Sequence, residues 1–265
     1  MKSTLRFLSA LAALLSVAIP GARALPEAEA TAGRLVLRRY ADAIVAVRAT
    51  VTIRISVNGR HAPPSASNVD MNGTIVTPEG VTVTSLSALD PQMIFATLRQ
   101  TMGPAASAAD LEGSEVKALR LRLADGREIP AKILARDPSR DLALVGPAEA
   151  VPVGRGTFPF VDLRESPEAA TVLGTCFHLS RTGEGMQRAA LIRPGAIIAI
   201  LERPSRLFVV DTDLYADGLG CPVFDAQGRV LGVCLRLLVD GLPRGIVVVP
   251  SADVAGEVAE KLGGP

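Results

Sequence analysis

The sequence has no Trp, seven Phe and two Tyr, so aromatic residues make up 3% of its 265 positions. That scarcity leaves little for stacking on single-stranded nucleic acid. Its 28 Lys and Arg are scattered rather than clustered, which argues against a nucleic-acid partner. Histidine is rarer still, at His61 and His178 alone. Neither they nor the cysteines make a CxxC pair or a His/Cys cluster with zinc spacing, so no metal and no cofactor is expected. Long apolar runs are missing too. The run from Phe7 to Ile19 has 13 residues, short of the roughly 20 needed to cross a bilayer as a helix, and no transmembrane segment is expected.

What that run does fit is an export signal. Lys2 and Arg6 precede it and "ARA" follows before Leu25, so residues 1–24 read as a signal peptide and the expected location is periplasmic or secreted. Lys2, Arg6 and Arg23 are three of the 28 basic residues, so a chain starting at Leu25 carries 25 Lys and Arg against 27 Asp and Glu over 241 residues. That length builds one large domain or two small ones.

Three cysteines remain, Cys176, Cys221 and Cys234, an odd count that leaves at least one thiol unpaired within the chain. Cys221 and Cys234 flank an expected hairpin, where opposed residues lie within disulfide reach. A one-residue slip would put them on opposite faces, and buried reduced thiols are the simpler reading.

Along the chain, "RLVLRRYADAIVAV" reads as a helical turn or two feeding a strand. In "TVTIRISV", Val51, Ile53, Ile55 and Val57 alternate as on a half-buried strand. "NGRHAPPSASN" reads as a loop, with His61 a solvated side chain, and "GPAASAADLEGS" reads as a second loop. Between them "GTIVTPEGVTVTSLSAL" gives two short β runs around Pro78-Glu79-Gly80, and "MIFATLRQTM" has helical spacing. "ALRLRLADGREIPAKILARD" is a hairpin about Asp125-Gly126. "AVPVGRGTFPFVDLRESPEA" reads as a linker with a crossover. Further β runs follow from "TVLGTCFHL" to "RGIVVVP", then a helix, "SADVAGEVAEKL", with Ser251 as N-cap. Many short strands with Gly and Pro punctuation imply barrels or a sandwich, divided as 25–150 and 151–265.

Three blocks carry a resemblance. "LRLADGREIPAKILARDPSRDLALV" is the most specific; "GTIVTPEGVTVTSLSAL" and "VVDTDLYADGLGCPVFDAQGRVLGV" with "GIVVVPSADV" accompany it. Over roughly residues 40–262 the chain resembles the HtrA/Deg branch of the trypsin-like serine proteases. The resemblance implies an all-β fold, two six-stranded antiparallel β-barrels with a short C-terminal helix and an active-site cleft between them. It implies no PDZ domain, since the chain ends shortly after "GIVVVP".

That family uses a Ser nucleophile, a His base and an Asp that orients the imidazole. By resemblance Asp141 matches the acidic member, Ser87 stands where the base belongs, and Leu219 stands where the serine belongs. Asp217 falls on a glycine whose N–H helps form the oxyanion hole, and a carboxyl group there opposes developing negative charge. The loop upstream of Gly218 is also shorter than the family's. Without an imidazole, Asp141 is expected to accept bonds from the Ser87 hydroxyl or from backbone N–H groups, and Leu219 to plug the cleft.

The expectation is therefore a catalytically incompetent peptidase fold that binds a peptide or protein partner in its cleft or at a sheet edge, or that has a regulatory or scaffolding role in the cell envelope. The competing reading is an active peptidase with Cys221 as nucleophile and His178 as base, although Cys221 lies two residues past the serine position. The stretch from Met93 to Gly113 is longer than the family's usual connection and is expected to lie over the cleft.

Overall fold

The structure is a computed structural model that describes residues 25–101, 109–149, 157–164, 170–203, 205–211 and 216–263. The proposed signal segment, 1–24, lies outside these residues, as do 102–108, most of the expected linker, and 212–215 just upstream of the Leu219 turn.

The chain opens with helix α1, Glu27–Tyr40, longer than the one or two turns expected. Glu27 and Glu29 in its first turn and Arg38 and Arg39 in its last complement the helix dipole. Its buried face is Gly33, Val36 and Tyr40, with Tyr40 stacked on Phe224 at 4.8 Å between ring centroids. At Gly33 the approach is close, because an added Cβ would sit 3.2 Å from the Phe177 ring.

The first barrel follows. Its strands are β1 (Ile44–Val57), a short β2 (Arg60–His61), β3 (Ser65–Ile75), β4 (Thr82–Ser85), β5 (Ala109–Arg122), β6 (Glu128–Asp137) and β7 (Leu142–Pro147). They run in the order β1-β3-β4-β7-β6-β5, with β1–β5 pairing closing six strands and β2 added on β1. Helix α2, Pro91–Thr101, lies against β5 and β1 and touches the strand Leu242–Pro250 of the second barrel.

Two expected loops contain strand among their described residues. "SASN" starts β3 and "DLEGS" belongs to β5; both pair with β1, which supplies the backbone partners that their small polar residues do not advertise. In β1 the alternation also changes phase. Val51 and Ile53 are buried, yet beyond them Ser56 is buried while Ile55 and Val57 are only partly so. A register shift against β5 between Arg54 and Ile55 accounts for the switch.

The second barrel is closed in the order β10-β13-β12-β11-β8-β9. Its strands are β8 (Thr175–Arg181), β9 (Ala190–Leu201), β10 (Leu207–Val210), β11 (Pro222–Asp225), β12 (Val230–Val239) and β13 (Leu242–Pro250). Helix α3, Ser251–Leu262, ends the described chain. The expected N-cap is displaced: Pro250 holds that position, and the Ser251 hydroxyl instead donates to the Val230 carbonyl at 3.1 Å.

Three apolar clusters result. One, with Val45, Val47, Ile75, Leu121 and Val145, belongs to the first barrel. Another, with Cys176, Phe208, Val223, Cys234 and Val248, belongs to the second. The largest joins Val83 and Leu144 of the first barrel to Leu179, Phe224, Val233 and Leu235 of the second, with Val36 of α1 and Val254 of α3. Val161 and Leu163 are buried in that shared layer, and the Val161 N–H donates to the Ile75 carbonyl, so this part of the expected linker is core. The layer fixes the two barrels against each other and thereby sets the cleft.

Candidate active-site cleft

Asp141 lies just before β7 with φ 57°, a left-handed conformation that Asp tolerates better than most residues. Its side chain is fully buried and accepts three hydrogen bonds. The Ser87 N–H reaches Oδ1 at 2.6 Å; the Ser85 hydroxyl and the Arg236 N–H reach Oδ2 at 2.7 and 2.9 Å. The expected acceptance from backbone N–H groups is therefore met by Ser87 and Arg236, while the hydroxyl on Asp141 is that of Ser85 rather than Ser87. Ser85 Oγ makes that bond, and Ser87 Oγ lies 3.1 Å from Ser85 Oγ. The two imidazoles are elsewhere. His61 lies on β2, not in a loop, and its Nδ1 is 2.7 Å from Glu112; His178 is in β8.

On the other wall, a 3-10 turn over Ala216–Gly218 leads into Leu219 and Gly220. Asn72 of β3 holds this turn, its Nδ2 donating to the Asp217 carbonyl at 2.6 Å and to the Arg181 carbonyl at 2.8 Å. Thr74 Oγ donates to the Gly220 carbonyl at 2.6 Å. Gly220 has φ +75°, and a Cβ there would come 2.6 Å from the Asn72 carbonyl oxygen, so only glycine fits. Leu219, 3% exposed, is packed at the edge of a groove of about 490 Å³ that Val69, Met71, Ala88 and Arg236 also line.

Asp217 lines the same groove. Its Oδ2 is 3.5 Å from the Arg193 guanidinium, while Oδ1 is buried without a hydrogen-bond partner among the described residues.

Cys221 and His178 do not assemble into a nucleophile and base. Cys221 is fully buried in the shared apolar layer with its Sγ 3.6 Å from the Asp217 carbonyl, and burial pushes its thiol well up. A nucleophilic cysteine needs the thiolate, which this surrounding disfavours. The His178 Nε2 lies 3.4 Å from the Gly218 carbonyl, which also accepts the Cys221 N–H at 3.2 Å. Burial holds its pKa down, to about 4. All three cysteines are free. Cys234 donates its N–H to the Cys221 carbonyl, yet the Gly220 N–H takes the Cys234 carbonyl, an irregular pairing that accompanies packing of the two thiols in different clusters.

Residues that sequence reasoning passed over include Asn72, Arg181 and Arg188. Arg188 donates to Asn72 Oδ1 at 2.6 Å, and Arg181 donates to the Ala41 and Ile44 carbonyls at 2.8 and 3.0 Å. An Asn ahead of a Gly in "MNGT" carries no signal for such a role; only the pairing of the barrels reveals it.

A family model described as the trypsin-like peptidase domain matches residues 71–233, more than half of the chain. The chain belongs to that family. As a trypsin-like peptidase domain it carries Ser85, Ser87, Asp141 and Leu219 around the cleft that the fold leaves between its barrels. Solved structures are similar in fold. The protease domain of MamO from Magnetospirillum magneticum, in apo form, is 18% identical with a TM-score of 0.50, over 83% of this chain and 97% of that one. The HtrA-type protease AlgW with a decapeptide is 16% identical with a TM-score of 0.58, over 87% of this chain and 66% of that one. The same protease with a tripeptide gives 16% and 0.52, over 87% and 63%. Comparison with curated proteins gave no match.

Proposed function

We propose that this trypsin-like domain is exported to the cell envelope, does not hydrolyse peptides, and holds an extended peptide or a segment of a partner protein in the groove between its barrels. One observation carries the reading. The Asp141 carboxyl group accepts from Ser85, Ser87 and Arg236, and by the resemblance the buried Leu219 falls at the nucleophile position. A hydroxyl at Ser87 does not accept a proton near neutral pH as an imidazole does, and Leu219 has nothing to attack with. Asp217 adds a carboxyl group where negative charge would develop.

Peptide binding is supported by the groove itself and by HtrA-type neighbours solved with a decapeptide and a tripeptide. Export rests on the basic and apolar pattern of residues 1–24. The test treats the purified protein with a fluorophosphonate and with a thiol-reactive probe, then measures casein turnover. No active-site label and no turnover are expected. Labelling at one residue together with turnover that disappears when that residue is mutated overturns the proposal.

A further inference from the structure

Leu235 and Leu237 of β12 pack into the apolar layer that the two barrels share, so Arg236 between them is turned to the opposite face of the strand. That face borders the groove of about 490 Å³, where Arg236 stands with Val69, Met71, Ala88 and Leu219. Its root is fixed, because its main-chain N–H donates to Asp141 Oδ2 at 2.9 Å. Its guanidinium has no such tie among the described residues. Nε is closed off without a partner, whereas Nη1 and Nη2 are neither closed off nor bonded to a described residue, and they are the atoms that a ligand in the groove meets.

The other charged side chains on the groove wall are already matched. Asp70 pairs with Arg48 and Arg188, Glu184 with Arg48 and Arg122, and Asp217 with Arg193. Arg181 pairs with Asp42 and donates to the Ala41 and Ile44 carbonyls. One guanidinium is left over.

An unmatched cation beside apolar side chains specifies an anion. Val69, Met71, Ala88 and Leu219 lower the local dielectric, which strengthens its attraction to an opposite charge. The N–H bonds of a guanidinium lie in one plane and match the two oxygens of a carboxylate, the anion that a peptide itself carries. An ammonium would be repelled by Arg236 and would find the groove's carboxyl groups taken. We propose that Arg236 forms a carboxylate-selective subsite of the groove, which takes the side chain of Asp or Glu, or the C-terminal carboxylate, of a bound peptide. The assignment rests on the peptide-binding reading above and refines it.

Two measurements test it. In the first, fluorescent peptides of sequence Ala-Val-Ala-Xaa-Ala-Ala, capped at both ends and with Glu, Gln or Lys at Xaa, are titrated against the wild type, Arg236→Gln and Arg60→Gln, the last a control on the exposed strand β2. A fourth peptide has Gln at Xaa and a free C-terminal carboxylate. A carboxylate peptide is expected to bind about tenfold tighter than the capped Gln peptide, and whether it is the Glu peptide or the free terminus identifies the source. Arg236→Gln is expected to erase that ratio and Arg60→Gln to keep it, a split that general attraction to basic residues would not give. The bond to Asp141 survives the substitution, because it comes from the main chain. Among peptides that bind, equal affinities, a preference for Lys, or a ratio that Arg236→Gln leaves intact overturns the subsite.

In the second, propionate and propionamide are titrated while the Arg236 Nε–H resonance, assigned by its loss in Arg236→Gln, is followed by NMR. A saturable shift with propionate alone is expected. If propionate shifts the resonance and no peptide binds, the peptide-binding reading fails and the carboxylate site stands. If neither ligand shifts it, or both shift it alike, the site is overturned.

Discussion

Asp141 in the first barrel is fully buried while Asp217 in the second lines the groove, and they meet opposite surroundings. Asp141 takes three donors, from β4, from the turn that follows it and from β12, and two of them are backbone N–H groups, so its bonds are fixed by the barrel backbones and need no imidazole. Asp217 has one long ion pair and a buried oxygen with no partner among the described residues. The first carboxyl group acts as a structural joint between the barrels, since Arg236 belongs to β12 and Ser85 to β4. The second stands at a place where the described polypeptide leaves hydrogen-bonding capacity open.

The contrast breaks most readily by mutation. Asp141→Ala leaves three buried donors without an acceptor and is expected to cost roughly 3–4 kcal/mol, lowering Tm by about 10 °C in thermal unfolding followed by circular dichroism. Asp217→Ala is expected to stay within about 1 kcal/mol of the wild type. Equal losses would mean that the two aspartates are held alike.

Acidification sharpens the same contrast through His178. In the unfolded chain its imidazole takes a proton near pH 6.5, but in the folded barrel only near 4. Between those values the unfolded state binds more protons, so this contribution to stability is complete above about pH 6.5 and declines as pH falls toward 4. The full loss is on the order of 3 kcal/mol. Denaturant titrations at stepped pH are expected to show this decline in the wild type and a flatter profile in His178→Leu.

Much of this architecture is readable in the residues, and the parts that are not have a common cause. The Asp125-Gly126 hairpin, α3 and the strands from "TCFHL" onward announce themselves because their alternation and turn residues are local. β3 and β5 begin in "SASN" and "DLEGS", whose pairing with β1 is long-range and whose exposed residues need no apolar alternation. At the site, the motif singles out Asp141 and Leu219, and both are buried. Which serine meets Asp141, however, depends on where β4 ends, at Ser85, and a shift of two residues separates the expected partner from the observed one. Asn72 escapes notice altogether, because its partners Asp217 and Arg188 lie more than a hundred residues away.

Glycines compare the two barrels again with a smaller effect. Gly126 at the first-barrel hairpin has φ +86° and open space around its Cβ position, so Gly126→Ala pays only for left-handed backbone, about 1 kcal/mol. Gly220→Ala pays that cost and also drives a Cβ into the Asn72 carbonyl and the Thr84 backbone. Roughly 2–3 kcal/mol is expected for it from chemical denaturation, together with weaker peptide binding as the Leu219 turn shifts. Identical costs would show that the turn yields freely.

The smallest effect is expected where the barrels meet through exposed charge. Arg48 of β1 reaches Asp70 at 3.3 Å, Glu128 at 2.8 Å and Glu184 at 3.0 Å, the last on the β8–β9 connection, and Arg122 pairs with the same Glu184. The network looks like a clamp across the cleft, yet its side chains are about a third to nearly half exposed, where water and salt screen them. Arg48→Ala is therefore expected to cost less than about 1 kcal/mol, with the difference shrinking further in 1 M salt. A larger, salt-insensitive loss would move the joint between the barrels from the buried layer around Leu144 and Val233 to this charged rim, and would make Asp141 one tie among several.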